Sequence, residues 1–127
     1  MAGRDQTLYE RIGGDAAVER FIGAFYERVL GDPELAPFFA EASMDRVRNM
    51  QREFFAAALD GPVRYSGRSL AVIHAGMGIR VRHFARFVRH LLQTLRGQGL
   101  DDEDVVEIIA RVDTYVDQIT GETSIGA

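Results

Sequence analysis

A chain of 127 residues, 46% of them hydrophobic, is the size of one domain with one core and too short for two ordinary domains. It has no cysteine, which excludes disulfides, Fe–S clusters and thiolate zinc sites, and a formal charge of −4 argues against nucleic-acid or anionic-membrane partners. No apolar run is long enough to span a bilayer and no N-terminal stretch reads as a signal peptide, so a cytoplasmic location is the default expectation. All 15 basic residues are Arg, a bias that fits genome base composition better than any functional reason.

Apolar spacing is helical along almost the whole chain. Residues 1–6 are polar and expected to fray. Thr7-x-x-Glu10 has the form of a capping box and opens a short helix that ends at Gly13-Gly14. Asp15 is placed to cap the next helix, whose stripe is Val18, Phe21, Ile22, Phe25 and Val29. Gly31-Asp32-Pro33 stops it, and Pro37, Phe38 and Phe39 fall in a tight connector. A helix is predicted from Met44 to Leu59, with Met44, Val47, Gln51, Phe54, Phe55 and Ala58 on one face. Gly61-Pro62 breaks it, and Gly61 to Ser69 reads as a loop. A short helical piece follows at Leu70 to His74. The next helix, Val81 to Arg96, buries Phe84, Val88, Leu91, Leu92 and Leu95 and is ended by Gly97 and Gly99. Asp101 to Asp104 open a last helix that carries Val105, Ile108, Ile109, Val112, Val116 and Ile119 as one continuous stripe, with acidic groups at the positive end of its dipole. Residues 121–127 are expected to form a flexible tail. No strand, internal repeat or linker is visible, so 1–127 reads as a single all-α domain.

The candidate chemistry rests on few residues. His83 and His90 lie seven apart beside the apolar stripe of one helix and read as boundary or surface histidines. His74 follows Val72-Ile73 directly. An imidazole there needs partners for both ring nitrogens; iron on one and a carbonyl on the other would supply them, but spacing alone favours a satisfied core histidine. Gln51 interrupts an apolar stripe, and a buried amide without a partner costs ~1–3 kcal/mol. Tyr26, on the edge of its helix's apolar face, also needs a partner if buried. The simplest reading is that Tyr26 and Gln51 bond each other across a helix pair; a ligand site is the alternative. Eight Phe are many for this length, and Phe25, Phe39, Phe54, Phe55 and Phe84 fall on inward faces. Such residues are more often core, but a flat porphyrin also needs an apolar slot of this kind. Asp101 to Asp104 read as a solvated helix start, no Ser, His and Asp set has a motif around it, and Gly13-Gly14 and Gly76-x-Gly78 follow no strand, which leaves a phosphate loop without support.

Taken in order, the segments Thr7-Leu8-Tyr9-Glu10-Arg11-Ile12-Gly13-Gly14, Phe25-Tyr26-Glu27-Arg28-Val29-Leu30, Phe38-Phe39, Gln51-x-x-Phe54-Phe55 and Tyr65-Ser66-Gly67-x-x-Leu70-Ala71-Val72-Ile73-His74 resemble group I truncated haemoglobins. The resemblance runs from about Thr7 to Thr120. It implies a truncated globin fold, a two-over-two helical sandwich around one haem b. It further implies that His74 is the proximal iron ligand, that Tyr26 and Gln51 are the distal hydrogen-bonding pair, and that Phe39 packs on the haem face. Val47, Phe55, Leu70, Phe84 and Val112 match positions lining the haem or its gas route, and Met50, Phe54, Tyr65, Ile73 and Phe87 complete the expected pocket.

Three departures stand out. Where the family usually has a glycine pair after the third helix, this chain has Asp60-Gly61, which puts the local turn in doubt. Some relatives carry a sixth-ligand His immediately before the distal Gln; here that residue is Met50, so bis-His coordination through it is impossible. Phe87 stands where relatives with an open gas tunnel often have a smaller residue. The function implied is binding of O₂, CO or NO at ferrous iron. It has two uses: an NO dioxygenase-type oxidoreductase reaction served by an external reductase, or non-catalytic storage or sensing. A monomer or weak homodimer without nucleic-acid or membrane partners is expected. The rival of another class is a haem-free helical interaction domain.

Overall fold

The computed structural model describes residues 6–62, 64 and 74–121. The loop expected at Gly61 to Ser69 lies mostly outside these residues, as do Leu70 to Ile73 and most of the two termini expected to be loose. Thr7 caps helix α1 (Leu8–Ile12) by the foreseen reciprocal pair, its hydroxyl accepting from the Glu10 amide at 3.1 Å and its own amide donating to the Glu10 carboxylate at 3.1 Å. Gly13, at φ 116°, reverses the chain at once. Helix α2 (Gly14–Leu30) therefore begins before Asp15 and has no side-chain cap. Asp15 instead accepts from Arg52 of the next long helix at 2.8 Å, a correction to its expected capping role.

The α2 stripe forms the centre of the core. Val18, Phe21, Ile22, Phe25 and Val29 are buried, and Tyr26, expected at the margin, is only 1% exposed. Burial of side chains this large stabilises by ~1.5–3 kcal/mol each before entropy is counted. The chain leaves α2 through a turn held by Asp32. Its backbone carbonyl accepts from the amides of Leu35 and Ala36 at 3.0 and 2.8 Å, and its carboxylate accepts from the Glu34 amide at 2.9 Å. A short 3-10 segment, Ala36–Phe39, is the expected tight connector.

Ser43 caps α3 (Met44–Ala58). Helix α4 (Val81–Gly97) takes Gly97 into its last turn, and the left-handed Gly99, at φ 78°, makes the turn that follows. The stripe expected to run unbroken to Ile119 is divided between α5 (Asp102–Asp113) and α6 (Val116–Thr120). At the break the Thr114 hydroxyl donates to the Arg111 carbonyl at 2.7 Å and the Tyr115 amide to Val112 at 3.0 Å, local bonds that compete with the α-helical ladder.

Helix α2 packs against α1, α3 and α4, and α4 packs in turn against α5 and α6, giving two layers of two long helices. Two polar clamps hold the layers together. Arg86 of α4 grips the Asp32 carboxylate through Nε and Nη2 at 2.9 and 3.0 Å, and His90 meets the same carboxylate through Nε2 at 2.8 Å. With its side chain 2% exposed, Asp32 is the buried acid of the fold, held far below the usual carboxylate range by Arg86 first and His90 second. The second clamp resolves the departure at Asp60-Gly61. Asp60 itself takes the left-handed backbone, φ 67°, while Arg111 of α5 donates to the Ala58 carbonyl at 2.8 Å and to the Asp60 carboxylate at 2.9 Å. Gly61 is required for space: a Cβ there would stand 2.8 Å from the Ala56 carbonyl oxygen and 2.9 Å from the Tyr9 ring.

Candidate ligand cavity

The two layers enclose a cavity of about 290 Å³. Tyr26 of α2 forms its inner end, and Leu35, Phe38, Phe39 and Ala42 of the connector form one wall. Helix α3 supplies Val47, Met50, Gln51, Phe54 and Phe55, spaced to put one face of that helix on the cavity. The stretch after α3 adds His74, Met77 and Ile79, α4 adds His83, Phe84 and Phe87, and the α5–α6 junction adds Val112, Tyr115 and Ile119. Met50 and Met77, 41% and 40% exposed, stand where the cavity meets solvent.

Aromatic rings set the shape. Phe39 meets Tyr26 edge-on at 5.7 Å, Phe87 meets Phe25 edge-on at 4.7 Å, and Phe54 meets Tyr115 at 5.1 Å. Among the described residues, polar groups in these walls are few: Tyr26, Gln51, His74, His83 and Tyr115. Burial pushes the Tyr26 phenol far above its ordinary value, opposed by a hydrogen bond from Gln51, so the phenol keeps its proton throughout the neutral range. The two side chains thus adjoin across the α2–α3 helix pair.

Of the residues singled out in the sequence, the cavity brings together Tyr26, Gln51 and His74 with Phe39, Val47, Met50, Phe54, Phe55, Phe84, Phe87 and Val112. Tyr65, Leu70 and Ile73 lie outside the described residues. His90 is committed to Asp32, but His83, read as a boundary residue like it, belongs to the cavity wall. Sequence reasoning also missed Leu35, Phe38, Met77, Ile79, Tyr115 and Ile119. The last two continue Val112 at helical spacing and carried a usable signal. Met77 and Ile79 sit in a stretch punctuated by Gly76 and Gly78 that has no periodicity to read.

Layered helices enclosing an aromatic cavity, with an imidazole and a phenol–amide pair among its walls, define a globin-type ligand-binding protein. The bacterial-like globin family model matches residues 7–120. The group 1 truncated haemoglobin of Mycolicibacterium paratuberculosis is 41% identical over 117 residues, covering 91% of this chain and 86% of that protein. The group 1 truncated haemoglobin of Tetrahymena pyriformis is 33% identical, over 82% of this chain and 86% of the relative. The chain belongs to the bacterial-like globins, among the group 1 truncated haemoglobins. Its fold superposes with a TM-score of 0.87 on the crystal structure of the Tetrahymena pyriformis protein in its Fe(III) form, at 30% identity and covering 92% of this chain and all (100%) of that one. The same score, 0.87, is reached at 27% identity with the two-over-two haemoglobin of a Synechococcus species, a structure with covalently attached haem, again over 92% and 100% of the two chains.

Proposed function

We propose that the cavity binds one haem b, with His74 as the iron ligand and Tyr26 and Gln51 facing the gas-binding side, and that the protein binds O₂, CO or NO. The observation that carries this reading is the gathering of His74 and the Tyr26–Gln51 pair in one cavity whose described walls are mostly apolar and aromatic side chains. The donor set fits the group. A neutral imidazole is an ordinary ligand for haem iron, and flat rings such as Phe39, Phe54 and Phe84 suit a flat macrocycle. Methionines at the opening extend the apolar surface to the solvent boundary.

Bound haem would supply a ferrous iron able to take a diatomic gas. The chain does the rest. Tyr26 and Gln51 present donors in a dry setting, where a hydrogen bond to a partly anionic ligand is stronger than in water. Phe25, Phe39 and Phe87 exclude water from around the phenol. Because the phenol stays protonated, its donor capacity does not change with pH in the physiological range. These features favour slow O₂ release. Conversion of NO and O₂ to nitrate would leave a bound haem iron one electron short after each turnover, and the sequence carries no flavin or nicotinamide motif. That use therefore requires a separate reductase. Storage or sensing of O₂ requires none. A fast reaction of the O₂ complex with NO supports the first; a slow one supports the second. The setting proposed is cytoplasmic, with the protein monomeric or weakly dimeric; among the described residues no helix is long and apolar enough to cross a membrane.

The test is an absorption spectrum of the protein expressed with adequate haem, in ferric, ferrous and CO-bound forms. A Soret band that is lost or strongly altered in His74→Ala supports the reading. A colourless wild-type protein would support a haem-free interaction domain instead, and an unchanged ferrous spectrum in His74→Ala would remove His74 as the ligand.

A further inference from the structure

The geometry points to His83 as a second residue that holds the prosthetic group, through a hydrogen bond from its Nε2–H to a propionate carboxylate. This inference rests on the haem reading above. His83 lies in the first turn of α4, with its ring in the cavity wall and edge-on to Phe38 at 4.9 Å. Its Nδ1 accepts a hydrogen bond from the Arg80 backbone amide at 2.9 Å. A nitrogen that accepts from an N–H cannot carry a proton of its own, so the neutral ring must hold its proton on Nε2. Among the described residues Nε2 has no acceptor.

This tautomer separates the two cavity histidines by role. An imidazole that ligates iron through one nitrogen carries a proton on the other and donates it to a carbonyl or carboxylate. His83 has the opposite arrangement. Its second nitrogen already receives a proton donor, and the nitrogen left over is itself an N–H. It is built to donate, and an acceptor carried in with the ligand can take that bond in place of solvent.

Position selects the acceptor. The ring is half-buried, between the apolar Phe84 on the cavity side and the exposed Val81 and Arg82 at the solvent boundary. A plate with an apolar body and carboxylate side chains would bury the body among the Phe rings and leave the carboxylates at this boundary. A single N–H there distinguishes one edge of the plate from the others and so orients it.

The experiment measures the rate of group loss to excess apomyoglobin from ferric wild type, His83→Phe and His83→Gln. Each is loaded with haem or with haem dimethyl ester, whose propionates are esterified and no longer anionic. Phe keeps a ring against Phe38 but has no N–H; Gln can accept from Arg80 and still donate. His83→Phe should release haem about ten-fold faster, the scale of one lost hydrogen bond to a charged acceptor. It should release the ester at nearly the wild-type rate, and His83→Gln should restore most of the retention of haem. Equal acceleration for haem and ester would reduce His83 to a helix-end packing residue and overturn the inference while leaving the haem reading intact. A wild type with no Soret band for either pigment would overturn both.

Discussion

Tyr26→Phe isolates the hydroxyl to which the proposed slow O₂ release is assigned. The ring is 1% exposed and packs on Phe25 at 5.0 Å and Phe39 at 5.7 Å, contacts that a Phe ring keeps. What is lost is one donor. A hydrogen bond to a charged or partly charged acceptor contributes ~1.5–3 kcal/mol. The acceptor on a bound gas carries only part of a charge, which places the loss near the lower limit. Each 1.4 kcal/mol is about ten-fold in rate, so O₂ release should quicken about ten-fold. Stopped-flow displacement of O₂ by CO reads this directly. Gln51→Leu should act in the same direction, and the double variant should fall short of the product because the two side chains adjoin in one cavity and serve one ligand. CO carries little negative charge when bound, so its release should change much less. An equal effect on both gases would refute the argument and put steric access in its place. The raised phenol value adds a signature in stability. Above about pH 10 the unfolded tyrosine ionises while the buried one does not, so stability falls as pH rises through that range; Tyr26→Phe should remove this share of the fall.

Phe87→Val should raise the association rates of both O₂ and CO in flash photolysis while altering O₂ release less, since the Phe87 ring lines the cavity and meets Phe25 at 4.7 Å; unchanged rebinding would leave it a packing residue. Asp32→Asn should lower the thermal midpoint and flatten acid unfolding. The carboxyl is held below its ordinary value, so it stabilises above the unfolded pKa near 3.8 and loses that effect as pH falls below it; an acid limb as steep as wild type would contradict this.

Much of the fold could be read because its long helices bury one face each. The stripe from Val18 to Val29 and the capping box at Thr7 are local patterns, and the structure reproduces both. That Tyr26 and Gln51 come together could also be read, since a polar residue inside an apolar stripe demands a polar neighbour. Other features depend on through-space relations with no local trace. Asp32 looked like a turn residue, and only the packing of α4 shows it as the buried anion that Arg86 and His90 surround. Asp15 looked like a cap because nothing in its neighbours announces Arg52. The unequal fates of His83 and His90, seven residues apart on one helix, follow from where α4 starts: one falls at the cavity and the other on Asp32.

The Arg86 clamp bears on how freely this sequence can drift. An excess of Arg over Lys that comes from nucleotide bias should relax whenever the bias relaxes, and at exposed positions such as Arg82 and Arg89 the exchange costs little. Arg86 is different. Its Nε and Nη2 occupy both oxygens of Asp32 while Nη1 reaches Glu34 at 3.0 Å, a planar three-way fit. A lysine offers one rounded ammonium and cannot span both oxygens in that geometry. In a descendant whose genome favours lysine codons, position 86 should therefore be among the last arginines to remain.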